Sequence, residues 1–219
     1  FDTVGDILIF NDFPTKLKKK EKKIAKVILS YYKNIRVVAK KMGRYAGKYR
    51  TPSIRILGGE KRKETVHKEN GVLLKVHVEK VYFSARTATE RLKIVEGVKK
   101  KEKVLVMFSG IGVLPIEIAK HTQADVTGVE INPAAHMYAL ENVKLNKVNV
   151  ALHCGEVRRI VPKLGKFDRI VMPLPNNATS FLDIALSKIK KNGIIHLYAF
   201  GAEEDVPTLK KEIVEKVKK

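Results

Sequence analysis

The run Lys103-Val-Leu-Val-Met-Phe-Ser-Gly-Ile-Gly-Val-Leu-Pro-Ile-Glu-Ile-Ala-Lys120, followed by Ala124-Asp-Val-Thr-Gly-Val-Glu-Ile-Asn-Pro133, decides the fold. It reads as a buried strand, a glycine turn, a helix and a second strand that ends in an acid. Val104 to Met107 is a continuous apolar stretch, which suits a parallel strand covered by helices on both faces. Gly110 and Gly112 allow a tight turn and close backbone approach, and the following helix aims its free N–H groups at that turn. Ligands of such sheets sit outside the carboxyl ends of the strands. An acid at the end of the second strand, here Glu130, can accept the hydroxyls of a ribose there.

The dinucleotide fingerprint Gly-x-Gly-x-x-Gly is not met, because Pro115 occupies the third glycine position. A nucleoside without a pyrophosphate fits better. The run resembles the opening of a class I S-adenosylmethionine-dependent methyltransferase; a nicotinamide enzyme or an inactive sheet of the same shape is the alternative. On the methyltransferase reading, Phe108, Ser109, Gly110 and Gly112 face the methionine portion of S-adenosyl-L-methionine, Glu130 and Ile131 the ribose, and Gly155 and Glu156 the adenine edge. Pro173, Leu174 and Pro175 shape the pocket after the fourth strand. Cys154, at an apolar strand end with no base beside it, is expected in the core rather than as a nucleophile.

Outward from this run the pattern alternates strictly. Strands are expected at 103–108, 124–130, 148–153, 168–172 and 193–200, with helices at 112–121, 133–145, 156–162 and 178–191. That is an α/β fold with a doubly wound parallel sheet, and residues 83–219 are assigned to it. A helix over 84–98 precedes it and one over 206–218 ends the chain. Methyltransferase sheets usually close with a further hairpin, so its absence suggests a shortened chain, a missing partner segment or a five-stranded sheet.

Residues 1–82 are expected to form a small α+β RNA-binding domain. Its strands are read at 1–10, 35–39, 53–57, 65–68 and 72–83, with Gly58-Gly59 and Asn70-Gly71 as turns. Between Lys16 and Tyr32, apolar residues recur at helical spacing and Lys18, Lys19, Lys22 and their neighbours cover the rest. That basic face is either solvated or in contact with phosphates. A later segment interleaves Lys41, Arg44, Tyr45, Lys48, Tyr49 and Arg50, residue types that pair with phosphates and stack on bases.

The whole chain supports a polyanionic partner. It has 44 basic and 23 acidic residues in 219, a net charge of +21, and glutamate has not risen with lysine as it does in heat-adapted proteins. Nucleic acid is favoured over a membrane surface, since no long basic amphipathic helix with aromatic anchors appears. One cysteine excludes an internal disulfide and a cysteine-rich zinc site, so no metal is expected. No apolar run reaches membrane-span length, and Phe1 suggests a processed or truncated start, so the cytoplasm is the default location. The oligomeric state is left open, with a monomer favoured.

Arg50 within Gly47-Lys-Tyr-Arg50, then Gly58-Gly59, His67-Lys-Glu-Asn-Gly71, Tyr82-Phe-Ser-Ala-Arg86, Thr89-Glu-Arg91 and Gly193-Ile-Ile-His-Leu-Tyr198 occur in that order. The combination resembles the archaeal and eukaryotic tRNA guanine-37 N1-methyltransferase family and its wyosine-pathway relatives, over nearly the whole chain. On this resemblance the family's extra small N-terminal domain is not expected within residues 1–219. The resemblance implies tRNA as partner, through its anticodon stem-loop, with Glu90 as the base at guanine N1, Arg50 stabilising charge on O6 and Arg86 as a second pocket arginine. The family's Asn-Leu-Pro motif reads Pro173-Leu174-Pro175 here, without the amide that holds guanine. Methylation at C7 of the tricyclic wyosine intermediate therefore stands beside guanine N1. A wyosine aminocarboxypropyl transferase and a non-catalytic RNA-binding protein are the competing readings.

Overall fold

The computed structural model describes residues 1–43, 47–174, 178–199 and 202–218. Eleven strands among them form three sheets. The largest is β7 (Lys103–Met107), β8 (Asp125–Glu130), β9 (Ala151–Cys154), β10 (Phe167–Met172) and β11 (Ile189–Leu197), in the spatial order β11-β10-β7-β8-β9 and parallel throughout. The order reverses between β7 and β10, and the crevice at that reversal opens at their carboxyl ends, with the end of β8 beside it.

Alternation along these strands builds both cores. Val104, Val106, Val126 and Val171 pack under α2 (Ala88–Glu96) and α3 (Val113–His121), while Leu105, Met107, Val129, Ile170 and Met172 meet the residues of α5 (Val157–Ile160) and α6 (Leu182–Lys188). The edge strand β9 is the exception. Its expected core residue Cys154 is exposed, because no further strand covers that edge among the described residues. The helix expected over 178–191 is cut short: Ile189 pairs with Phe167, so β11 starts there. Gly193 follows in an irregular register, where a Cβ would lie 2.6 Å from the Ile189 side chain.

The N-terminal sheet has the order β1 (Asp2–Val4), β2 (Ile7–Phe10), β3 (Val37–Lys41) and β4 (Ile54–Gly59). The single strand expected over 1–10 is a hairpin, turned at Gly5, whose φ is 55°. Gly58 and Gly59, expected as a turn, are ladder residues paired with Val38 and Val37. Gly59 has φ 86°, and a side chain there would strike the Arg36 carbonyl. Strands β2 and β3 are parallel, and α1 (Glu21–Tyr31), entered through a 3-10 turn at Thr15–Lys20, crosses between them on one face. Leu8, Val38 and Leu57 point to α1, whereas Ile7, Ile9, Val37, Ala39 and Ile54 point the other way.

That second face packs on the hairpin of β5 (Glu64–Glu69) and β6 (Val72–His77) and, with it, on α3 and α4 (Pro133–Asn146). The long strand expected over 72–83 stops at His77, whose carbonyl accepts from the amides of Lys80 and Val81 to turn the chain toward Tyr82. The outer edge of β6 is closed by side chains of α4. Asn142 Oδ1 accepts from the Lys75 amide at 2.7 Å while its Nδ2 donates to the Lys75 and Ile111 carbonyls at 3.0 and 3.1 Å. Asn146 does the same to Leu73, at 2.9 and 2.6 Å. Two asparagines one helical turn apart thus replace a missing strand.

Asn142 is fully buried, so truncating it strands backbone groups away from water. Asn142→Ala is expected to destabilise the fold by about 3 kcal/mol, read as a lower urea midpoint at unchanged slope.

Candidate active site

The turn after β7 departs from ordinary backbone at three places: Phe108, Gly110 and Gly112 have φ of 59°, 57° and 83°. For Phe108 this conformation costs about 1–2 kcal/mol, and its ring is held edge-on to Phe181 at 5.0 Å. Gly110 faces open space; a side chain there would first meet the Tyr82 carbonyl at 3.9 Å. Gly112 faces α4 instead. A Cβ would lie 3.1 Å from Ala139, so this glycine serves the close packing of α3 on α4 rather than the cavity.

Glu130, at the end of β8, accepts from the Gly110 amide through Oε2 and from the Asn132 amide through Oε1, both at 2.7 Å. Burial pushes its carboxyl upward, and the amides of Asn132, Gly110 and Ile131 oppose that shift. Glu130 lines the crevice, where its remaining acceptor capacity can meet a hydroxyl. Asn132 caps α4 by accepting from the Ala134 amide and donates to the Lys80 carbonyl at 3.0 Å, which draws the segment before Tyr82 to the crevice. It was not among the expected site residues; its sequence signal is the Asn-Pro start of a helix.

The crevice has two lobes that share Tyr82, Phe108, Gly110 and Pro173. One is completed by Lys48, Tyr49, Arg50, Glu130, Ile131, Asn132 and Leu174. The other adds Phe83, Ser84, Thr87, Arg91, Ser109 and Tyr198. Of the expected residues, these lobes gather Phe108, Ser109, Gly110, Glu130, Ile131, Pro173, Leu174 and Arg50, with Lys48 at the rim. Arg50 reaches it through a left-handed backbone, φ 51°, in a turn closed by its amide on the Gly47 carbonyl. The hydroxyl of Ser109 is buried without a partner.

Other expected residues lie elsewhere. Gly155 donates to the Glu130 carbonyl at 2.8 Å and Glu156 caps α5 through the Arg158 amide, and neither lines the lobes. Arg86 is exposed and donates from Nε to Asp2 at 2.6 Å. Glu90 is exposed on the first turn of α2, paired with Lys93 at 2.8 Å, in a separate shallow crevice with His196 and Tyr198. Tyr198 separates that crevice from the second lobe. Lys18, Lys19 and Lys22 are exposed on the 3-10 turn and on α1, and Lys41 faces Asp2 and Phe83 on the opposite side of the sheet. Arg44, Tyr45 and Pro175 lie outside the described residues.

Beneath the second lobe is a buried polar cluster that the sequence did not announce. Arg91 donates from Nε to Glu69 at 2.8 Å, from Nη1 to the Thr87 hydroxyl at 2.6 Å and from Nη2 to the Ser84 carbonyl at 3.1 Å. His67 Nδ1 accepts from the Gly5 amide, so its Nε2–H faces Glu69 at 3.3 Å. Glu117, wholly buried on α3, accepts from Asn70 and shares a hydrogen bond with Glu69. Burial would raise Glu69, but His67 and Arg91 outweigh it and hold it below the usual range; burial and the neighbouring Glu69 push Glu117 up to about 8. One proton held between the two carboxyls lets Glu117 donate to Glu69, whose other neighbours are the His67 and Arg91 donors.

These features together define a class I methyltransferase fold with a nucleoside-type crevice. The chain belongs to the TRM5/TYW2 family: residues 65–219 match the TRM5/TYW2 methyltransferase domain and residues 1–62 the TYW2 N-terminal domain. It is 43% identical over 206 residues to tRNA (guanine(37)-N(1))-methyltransferase Trm5b of Pyrococcus abyssi, covering 94% of this chain and 61% of that protein. It is 36% identical to tRNA 4-demethylwyosine(37)-methyltransferase Taw21 of Saccharolobus solfataricus, covering 90% of this chain and 76% of that protein. The crystal structure of Pyrococcus abyssi Trm5b superposes with a TM-score of 0.88 at 41% identity, over 99% of this chain and 64% of that one. The chain thus spans less than two thirds of the length of Trm5b.

The Glu117 proton makes stability depend on pH. Its carboxyl is raised from 4.5 to about 8 on folding, so its contribution is complete below 4.5 and is lost as pH rises through about 8. Glu117→Gln keeps a donor for Glu69 and cannot ionise. The variant's melting temperature relative to the parent is therefore expected to be higher at pH 9 than at pH 6 by several degrees; an equal difference at both would count against the shared proton.

Proposed function

We propose that the chain carries the catalytic portion of an S-adenosyl-L-methionine-dependent tRNA methyltransferase acting at position 37, next to the anticodon, on guanine N1, on C7 of the tricyclic wyosine precursor, or on both. The observation that carries this reading is the convergence of Glu130, the open Gly110 face and Arg50 on one lobe. The names of the relatives support it, as does a solved complex of aTrm5 with tRNALeu that superposes with a TM-score of 0.86 at 31% identity, over 96% of this chain.

The crevice suits the cofactor. Glu130 offers lone pairs to ribose hydroxyls, Gly110 leaves room for close approach, and Ile131 and Leu174 supply apolar walls. S-adenosyl-L-methionine supplies an electrophilic methyl group when bound. The chain's own residues then act on the acceptor. For guanine N1, Glu90 is the base, which requires its carboxylate to leave Lys93 and reach past Tyr198, and Arg50 faces the charge that develops on O6. Arg86, tethered to Asp2, lines the approach. Pro173 and Leu174 offer no side-chain amide to hold guanine, which favours the carbon acceptor: an electron-rich ring carbon attacks the methyl group without prior deprotonation, the sulfonium leaves as the neutral thioether, and the proton on that carbon is then lost to water. Residues 1–82 serve as the RNA-binding domain, and the enzyme works as a monomer in the cytoplasm. Neither a membrane-spanning helix nor a group of metal-binding side chains is found among the described residues.

Labelled S-adenosyl-L-methionine with two tRNAs, one bearing guanine-37 and one the tricyclic precursor, followed by nucleoside mass spectrometry, tests the reaction. A methyl group on either base is expected; an aminocarboxypropyl adduct or no product would overturn methyl transfer. Glu90→Gln should slow guanine methylation by about 10²–10⁴-fold and leave transfer to ring carbon much less affected. Calorimetry tests the cofactor site: Glu130→Ala should weaken S-adenosyl-L-methionine binding at least about tenfold, the worth of one charge-assisted hydrogen bond.

A further inference from the structure

The basic residues of the N-terminal domain divide into two surfaces. Lys41 belongs to the face of the sheet that meets the rest of the molecule, and Lys48 to the rim of the cofactor crevice. The lysines of Thr15–Lys20 and α1 lie on the other face, with the whole sheet between. Lys16, Lys18, Lys19, Lys20, Lys22, Lys23 and Lys26 are all exposed, and none forms an ion pair among the described residues. The acid closest in sequence, Glu21, is buried; Lys40 and Arg55 take its two oxygens, and of the track lysines Lys18 is near enough to add its charge.

The direction of this surface follows from the crossover. Because β2 and β3 are parallel, α1 between them must run back along the sheet. The Glu21–Lys40 pair shows which way: the start of α1 sits over the carboxyl end of β3, the end from which the chain leaves toward Lys48 and Arg50. The lysine track therefore begins at the crevice end of the molecule and descends the outer face for about 16 Å, the length of an eleven-residue helix. It finishes on apolar surface without cover: Val27 is 65% exposed, and Tyr31, 76% exposed, sits one turn further on, edge-to-face with Tyr32 at 5.0 Å. On α1, Lys23, Lys26, Val27 and Tyr31 share one stripe, with neighbours about 5–6 Å apart, and Lys19 precedes them on the 3-10 turn.

Unpaired lysines that compete with one another destabilise the fold unless a polyanion neutralises them. An exposed tyrosine at the end of such a track is a stacking platform for an unpaired base. We infer that the outer face of α1 is a second RNA-binding surface, which takes the sugar-phosphate backbone of the tRNA beyond the anticodon loop and ends in a stacking contact on Tyr31. This rests on tRNA being the substrate. It separates two tasks: the crevice rim holds the nucleotide to be modified, and α1 holds the body of the same molecule.

The test is filter binding to whole tRNA and to an isolated anticodon stem-loop across a salt series, with the parent chain, a Lys22→Gln/Lys23→Gln/Lys26→Gln variant and Tyr31→Ser. The lysine variant should bind whole tRNA at least about tenfold more weakly, with a salt slope lower by about 2–3, and should bind the stem-loop within about twofold of the parent. Tyr31→Ser should lose about five- to tenfold on whole tRNA with its salt slope unchanged. Equal losses on both RNAs would place α1 on the stem-loop itself and overturn the second surface. No loss on either would make it a surface for something other than RNA. A parent chain that binds tRNA but transfers nothing to it would fail the enzymatic reading while leaving the surface standing.

Discussion

Arg91 keeps only 12% of its side chain exposed, and the fold is arranged to give its charge a home. Its guanidinium is shared by Glu69 on the hairpin, by Thr87 and Ser84 at the entry to α2 and, across the proton held with Glu69, by Glu117 on α3. A buried ion pair contributes little net stability, since desolvation offsets much of its attraction, but breaking one side leaves an uncompensated charge. The consequence is positional. The hairpin, the first turn of α2 and the helix after the glycine turn can be assembled in only one relative arrangement. Glu90 is the residue before Arg91, so the same node sets where that carboxylate stands.

The carboxylate of Glu130 has a parallel role at the neighbouring strand. Its two oxygens hold the amides of Gly110 and Asn132, so the turn after β7 and the start of α4 are tied to the end of β8. Asn132 passes the tie on to Lys80 and so to Tyr82. A cofactor entering this crevice meets a wall already assembled, which reduces the ordering cost of binding. Opposite it, Arg50 is offered from the N-terminal domain on a left-handed backbone. The crevice is therefore built jointly by two sheets, and the hairpin packed between them keeps them in register.

Much of the five-stranded parallel sheet was legible in the chain. Apolar runs such as Val104 to Met107 and Ile170 to Met172 are unambiguous because burial on both faces leaves no polar position, and glycine at 110 and 112 marks a turn that other residues enter only at a cost. The errors fell where local pattern and long-range pairing disagree. Ile189 continues a helical periodicity yet is taken by Phe167 into a strand. Gly58 and Gly59 carry a turn composition yet pair with β3, because only glycine lets α1 and the Arg36 carbonyl come so close. Outside these errors, the motif that pointed to Arg86 and Glu90 carries no information on their partners in the fold, Asp2 and Lys93.

By itself the sequence determined the order of elements, the switch-point acid, the excess of positive charge and the residue types available for chemistry. These are properties of composition and of short-range periodicity, set by how far apart two residues are along one chain. The tertiary structure alone decided which lysines share a face, because alternation assigns sides of a strand but not what covers each side. It decided too that Gly112 serves helix packing while Gly110 borders the crevice, and that Glu69 and Glu117, far apart in the chain, share one proton. Those facts depend on contacts between distant segments, and the free energy of such contacts is defined only once the chain has closed on itself.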